Sequence, residues 1–126
     1  MAVSEKPLYY LTIHESQQLI RSRKLSPVEL TRAVLERIDA VDGKLHAYIN
    51  LMSDAAIQEA RAAEAEIARG NWRGPMHGIP VAVKDQLDVE GAAARVRQFT
   101  QGVGYATAVR KLREAGAVML GKLHMS

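Results

Sequence analysis

The chain has 126 residues, a length that suits one small domain or a piece of a larger protein. Its composition is ordinary for a globular protein, with 48% hydrophobic and 25% charged residues and a net charge of +3. The basic side chains are spread along the predicted helices, so they indicate a solvated surface rather than a nucleic-acid interface. The absence of cysteine excludes a disulfide framework, a thiolate metal site and a cysteine nucleophile.

No targeting or metal-binding pattern stands out. The first ten residues lack a basic segment followed by an apolar run, and no apolar stretch approaches the about 20 residues of a membrane span. We therefore expect a cytoplasmic protein with no membrane anchor. His14 and His46 are interpreted as surface residues, because no second ligand lies at a metal-site spacing. No metal and no cofactor is expected.

Two helices are predicted at the start of the chain, joined as a helical hairpin. Thr12-Ile13-His14-Glu15 has the spacing of a capping box and begins a helix that ends near Lys24. Ser26-Pro27-Val28-Glu29 begins the second helix, with serine at the N-cap and proline at N1. Asp42-Gly43 is predicted to end it. Residues at helical spacing form its buried face, namely Val28, Thr31, Val34, Leu35 and Ile38.

A short strand and a third helix are predicted next. Apolar and polar residues alternate from Leu45 to Met52, which indicates a strand with His46 and Asn50 on its exposed face. An alanine-rich helix runs from Ser53 to about Arg69, before Gly70. Its predicted buried stripe consists of Ala56, Ala60, Ala63 and Ile67, and its predicted water-facing residues are Glu59, Arg61, Glu64 and Arg69.

The stretch from Gly74 to Asp88 is the most informative part of the sequence. Glycines and prolines lead into the apolar run Val81-Ala82-Val83, which is typical of a buried strand in a parallel sheet. Lys84 follows at the carboxyl end of that strand, where open α/β sheets bind their ligands. Taken alone, the pair Lys84-Asp85 is better interpreted as an ion pair that caps a loop, because such pairs are common.

A βαβ unit completes the predicted fold. Residues 90–104 are predicted to form a loop, and a helix follows from about Tyr105 to Ala115 with Arg113 facing water. The run from Ala117 to Leu120 is a second buried strand. Strand, loop, helix and strand imply a parallel pair with a right-handed crossover, and hence an α/β fold. Lys122, at the predicted end of this strand, receives no role.

Three segments resemble the amidase signature family of serine hydrolases. They are Ser26 to Leu30, Gly74 to Asp85 (Gly-Pro-Met-His-Gly-Ile-Pro-Val-Ala-Val-Lys-Asp), and Leu112 to Met125. The resemblance implies the N-terminal part of an α/β/α amidase-signature fold, in which a helical hairpin precedes helices around a few strands of a mixed or parallel sheet. Residues 1–126 would form the N-terminal portion of a single amidase domain, truncated before its catalytic serines.

The resemblance also implies amide hydrolysis by a Ser–cis-Ser–Lys triad, in which Lys84 matches the catalytic lysine. Such a lysine acts in its neutral form and takes a proton through the middle serine from the nucleophilic serine. Burial would lower the pKa of a lysine toward the working range, because it disfavours the charged form. The family carries both serines in a Gly/Ser-rich run that this sequence lacks, and Ser126 is not assigned as nucleophile.

Departures from the family pattern fall after Asp88. The loop from Ala92 to Gly104 is shorter than its counterparts, and Tyr105 stands where the family has an aspartate.

Three functional hypotheses stay open. The chain is part of an amidase that acts on a small-molecule amide; or part of the glutamine-hydrolysing A subunit of a tRNA-dependent amidotransferase, where nucleic acid is reached through partner subunits; or a non-enzymatic remnant or interaction module. The assembly state, a homo-oligomer included, is left open.

Overall fold

The structure is a computed structural model that describes residues 7–84 and 107–123. After a 3-10 turn at Leu8–Tyr10, these ranges contain four helices and three strands. In chain order they are α1 (Ile13–Arg21), α2 (Pro27–Leu45), β1 (Tyr48–Leu51), α3 (Ser53–Ala68), β2 (Pro80–Lys84), α4 (Thr107–Glu114) and β3 (Val118–Leu123). Within these ranges no helix is long and apolar enough to cross a membrane.

The predicted capping box of Thr12 and the predicted N-cap of Ser26 both form, and they fix the starts of α1 and α2. The hydroxyl of Thr12 accepts from the N–H of Glu15 at 3.0 Å, and the carboxylate of Glu15 accepts from the N–H of Thr12 at 2.9 Å. Ser26 accepts from the N–H of Val28 at 3.0 Å, and Glu29 accepts from the N–H of Ser26 at 3.3 Å. These side chains satisfy amides that a helix start leaves without partners.

The prediction that Asp42-Gly43 ends the second helix is wrong. Helix α2 continues through Gly43 to Leu45 and ends at His46, which adopts a left-handed conformation with a φ of 51°. Asp42 explains this, because its carboxylate accepts from the N–H of Ala47 at 2.7 Å and its carbonyl accepts from the N–H of His46. One glycine costs a helix only about 1 kcal/mol, so it does not end a helix that is capped further on.

The predicted strand from Leu45 to Met52 is correspondingly too long. Strand β1 covers only Tyr48–Leu51, since the preceding residues belong to the end of α2 and to its cap. Leu45 and Leu51, which the alternation placed on a buried face, are 68% and 39% exposed. His46 is exposed as expected, although it caps a helix rather than lying in a strand.

The three strands form a mixed sheet in the order β1-β3-β2. Strands β2 and β3 are parallel, as predicted, whereas β1 pairs with β3 in the antiparallel direction. The central strand β3 extends to Leu123, so the prediction that it ends at Leu120 is wrong. The pairing of β3 with β2 is irregular at one point. Met119 pairs with Val81 and Gly121 pairs with Ala82, so one residue of β3, Leu120, is skipped.

Helix α3 packs closely on the sheet through its alanine stripe. Ala56, Ala60, Ala63 and Ile67 are all buried, which confirms the predicted face. Two of these, Ala56 and Ala60, belong to a core cluster that contains Val118 and Leu120 of β3. Small side chains allow this close approach, and α2 covers the same cluster with Ile38.

Two charged residues predicted to face water instead contact each other. Glu59 of α3 and Arg113 of α4 are partly buried and form an ion pair of 2.5 Å. The carboxylate of Glu59 also accepts the main-chain N–H of Met119 at 2.8 Å. A helical period places a residue on a face, but it does not show that a strand amide lies against that face.

Candidate active site

The carboxyl ends of β2 and β3 meet at one edge of the sheet. Lys84 is the last residue of β2 and pairs with Leu123, the last residue of β3. Because these strands are parallel, this is the edge at which open α/β sheets bind ligands. The structure therefore puts the main chain of Lys84 where the sequence predicted it. Asp85, the loop from 92 to 104, Tyr105 and Ser126 lie outside the described residues.

Lys122 lies on the central strand of the sheet, one residue before the end of β3. It pairs with Asn50 of β1 and with Val83 of β2, and its exposed fraction is 0%. Lysine is almost never fully buried in proteins unless it is paired. Sequence reasoning did not predict the burial of this residue, because it ended the strand three residues too early, at Leu120.

Gly121 allows β1 to approach the central strand. Its φ is 155°, and a Cβ built on it would lie 2.0 Å from the carbonyl oxygen of Asn50. A side chain at this position would push the two strands apart. The pairing of β1 with the last residues of β3 therefore requires a glycine at this position. Those last residues in turn pair with the end of β2 that carries Lys84.

A second polar cluster lies at the opposite, amino end of β2. His77 is 1% exposed and uses both ring nitrogens. Its Nδ1 lies 3.0 Å from the main-chain N of Arg73, and its Nε2 lies 2.8 Å from Oε1 of Glu66. A main-chain amide can only donate, so Nδ1 carries the lone pair and Nε2 carries the proton that is donated to Glu66. The imidazole of His77 is therefore neutral in this arrangement.

Glu66 joins the loop after α3 to His77. Its second oxygen lies 2.6 Å from the guanidinium of Arg73. Burial raises the pKa of the Glu66 carboxyl, but hydrogen bonds from Arg73 and His77, together with the charge of Arg73, outweigh burial and leave that pKa below its ordinary value. Glu66 is therefore held as a carboxylate.

Glu66 and Arg73 border a cleft of about 180 Å³ between α3 and the residues that lead into β3. Two Glu–Arg pairs line it, Glu66 with Arg73 and Glu59 with Arg113. Among residues 7–84 and 107–123, no group of three His, Asp or Glu side chains is placed to hold a metal ion. Sequence reasoning did not single out His77; its position inside a Gly/Pro-rich turn before a buried strand was the available signal.

The comparisons with known proteins identify the family. The family model described as Amidase matches residues 29–126, more than half of the chain. The chain belongs to the amidase signature family. The match covers two of the three resembling segments in full, the Gly74 to Asp85 stretch and the Leu112 to Met125 segment, and it begins inside the segment from Ser26 to Leu30.

Relatives of known sequence include two kinds of protein. The chain is 47% identical over 122 residues to the A subunit of the glutamyl-tRNA(Gln) amidotransferase of Moorella thermoacetica, covering 94% of this chain and 25% of that relative. It is 40% identical over 129 residues to the putative amidase AmiD of Mycobacterium tuberculosis, covering 98% of this chain and 27% of that protein. The chain thus spans about a quarter of the length of these relatives.

Solved structures support the same assignment. The native peptide amidase from Stenotrophomonas maltophilia superimposes with a TM-score of 0.85 at 36% identity, covering 95% of this chain and 26% of that enzyme. An amidase family protein from Bacillus anthracis superimposes with a TM-score of 0.81 at 33% identity, covering 98% of this chain and 26% of that one. The predicted fold class, helices around a small mixed sheet of the amidase-signature type, is confirmed.

Proposed function

We propose that this chain is the lysine-bearing segment of an amide hydrolase, and that Lys84 is the base of its Ser–cis-Ser–Lys triad. The observation that carries the proposal is the location of Lys84 at the carboxyl edge of a parallel strand pair in a member of the amidase signature family. In this proposal residues 1–126 are the N-terminal portion of one amidase domain. The substrate is a small-molecule amide, and the protein works in the cytoplasm.

The chemistry of the proposal begins with a neutral amine on Lys84. The amine takes a proton through the middle serine from the nucleophilic serine, whose oxygen then attacks the amide carbonyl. The proton is returned to the leaving nitrogen as the C–N bond breaks, and water later releases the acyl group. The sequence lacks the Gly/Ser-rich run that carries both serines, so the 126 residues alone are expected to hydrolyse no amide.

A graft tests this function. In the graft, these 126 residues replace the matching quarter of the Stenotrophomonas maltophilia peptide amidase, which supplies the rest of the domain. We expect the graft to hydrolyse a peptide amide, the Lys84→Met graft to lose that activity, and a control graft with Lys44→Met on α2 to keep it. A folded but inactive graft would contradict the proposal, as would amide hydrolysis by the purified 126-residue chain.

A second candidate is the A subunit of a tRNA-dependent amidotransferase. The observation in its favour is the 47% identity to the amidotransferase relative from Moorella thermoacetica, against 40% to AmiD. A graft into that relative, tested together with its partner subunits, examines this candidate. Full glutamine-dependent activity there, with poor activity in the peptide amidase graft, would favour it. Two folded and inactive grafts would instead favour the non-enzymatic remnant.

A further inference from the structure

The imidazole of His77 fills the junction at which α3 and the lead-ins of β2 and β3 meet. It bonds to Glu66 of α3 on one side and to the Arg73 amide of the preceding loop on the other. A Cβ built on Gly116, just before β3, would lie 2.4 Å from Cδ2 of His77. The ring is therefore in contact with all three segments, and no larger residue than glycine fits opposite it.

The residues that follow His77 set the register of β2. The N–H of Gly78 donates to the carbonyl of Gly116 at 2.9 Å, and the N–H of Val118 donates to the carbonyl of Ile79 at 2.9 Å. The first of these bonds precedes the parallel ladder, and the second is donated by Val118, the first paired residue of β3. A slip of one residue along β3 would move Lys84 by about 3.3 Å and reverse its face of the sheet.

We propose that His77, in its neutral form with the proton on Nε2, is a positioning residue that holds β2 in register and thereby locates Lys84. The location of Lys84 matters through the function proposed above, on which this last step rests. A proton on Nδ1 would remove the acceptor of the Arg73 amide and set two N–H groups against each other. Loss of this hydrogen bond at acidic pH is therefore expected to loosen the turn that precedes β2.

The charged side chains next to His77, and those of the cleft beside Glu66 and Arg73, come from three elements. Glu66 lies on α3 and Arg73 on the loop after it, while Glu59 of α3 and Arg113 of α4 line the same cleft. Both arginines keep their charge throughout the range in which histidines titrate. The pKa of Glu66 lies below its ordinary value, so that carboxylate stays ionised at about pH 5. To test whether Glu59 contributes to an effect of pH, the hydrogen-exchange experiment described below is repeated with the Glu59→Gln variant.

Hydrogen exchange of residues 81–84 in the 126-residue chain, at a protein concentration low enough to keep it monomeric, tests the proposal. Rates are taken at about pH 8 and about pH 5, on either side of the range in which histidines change charge, each relative to an unstructured peptide. In the unsubstituted chain we expect protection to fall by about tenfold on acidification, the effect of one lost buried hydrogen bond. His77→Asn keeps an acceptor near the Nδ1 position and cannot be protonated, so its protection should not depend on pH.

Two further variants complete the design. His77→Phe retains the size of the ring without either hydrogen bond and should lose protection of residues 81–84 at both pH values. His14→Asn, at an exposed histidine, should behave like the unsubstituted chain. Full protection in His77→Phe, or acid sensitivity that persists in His77→Asn, would overturn the proposal. So would a chain whose residues 81–84 are unprotected at about pH 8. Exchange does not depend on hydrolysis, so failure here leaves the role of Lys84 to be decided by the grafts.

Discussion

The carboxylate of Glu59 on α3 accepts the main-chain N–H of Met119 at 2.8 Å, at the point where the central strand begins. Its other oxygen lies 2.5 Å from the guanidinium of Arg113. One helical side chain thus joins the sheet to the helix that precedes β3. Met119 is completely buried, so water cannot replace this acceptor of its main-chain N–H if Glu59 is removed.

Substitution of Glu59 separates these two contacts. Glu59→Ala leaves the Met119 amide without an acceptor, and we expect the free energy of unfolding to fall by about 1–3 kcal/mol. Glu59→Gln retains an oxygen for the amide but loses the ion pair with Arg113, so it should cost less than Glu59→Ala. Urea unfolding of both variants measures this. Equal losses would show that the amide contact contributes nothing beyond the ion pair.

Substitution by alanine is expected to change the stability of the chain in opposite directions at Gly121 and at Gly43. Gly121→Ala drives a Cβ against the Asn50 carbonyl in a backbone conformation that L residues avoid, and we expect a loss of at least about 2 kcal/mol. Gly43 lies inside α2 with nothing within 4 Å of the added Cβ, so Gly43→Ala should stabilise the chain by about 0.5–1 kcal/mol. Thermal unfolding monitored by circular dichroism compares them. A tolerated Gly121→Ala would contradict the close approach of β1.

At the N-cap of α2 we expect aspartate to be less favourable than it is at most N-caps. Aspartate is in general as good an N-cap as serine, but the hydroxyl of Ser26 also donates to the carboxylate of Glu64. Ser26→Asp would place two carboxylates together, so we expect it to be no better than Ser26→Ala, at a cost of about 1 kcal/mol. Thr12→Asp, at a cap that exchanges hydrogen bonds with Glu15 of its own helix, is the control and should be nearly neutral. Their unfolding midpoints decide the matter, and a neutral Ser26→Asp would contradict the contact.

The isolated 126-residue chain is expected to be only marginally stable. In the described part of the chain, β2 has β3 as its single strand neighbour, so one edge of β2 carries unpaired main-chain groups. Such an edge invites docking of further chain or self-association. The transition temperature should therefore depend on protein concentration. A cooperative transition that stays the same across a wide range of concentration would argue against this.

Local rules predicted the elements whose signals lie in neighbouring residues. The capping box at Thr12 and the N-cap at Ser26 formed as predicted, because each needs only four consecutive residues. The alanine stripe of α3 and the parallel pairing of β2 and β3 also followed from spacing and chain order. The Asp42 side chain that extends α2 past Gly43 acts five residues along, and a single glycine gave the wrong helix end.

The remainder depends on contacts between distant residues. The antiparallel position of β1 on β3, the shift of register near Gly121 and the burial of Lys122 follow from how separate segments meet. The same holds for His77, whose partners are identified only once α3 and the turn before β2 are packed together. At the candidate site, the sequence predicted Lys84 and its strand end but not the junction at the other end of that strand.

The most direct test of the central claim, that Lys84 is the catalytic base, is the dependence of kcat/KM on pH in the peptide amidase graft. A base must be deprotonated to act, so kcat/KM of the unsubstituted graft should rise with pH along an acidic limb. The Lys84→Met graft should lose activity by about 10²–10⁴-fold and should lose that limb. A Lys84→Met graft within about twofold of the unsubstituted graft, with the same pH profile, would contradict the assignment of Lys84 as the base.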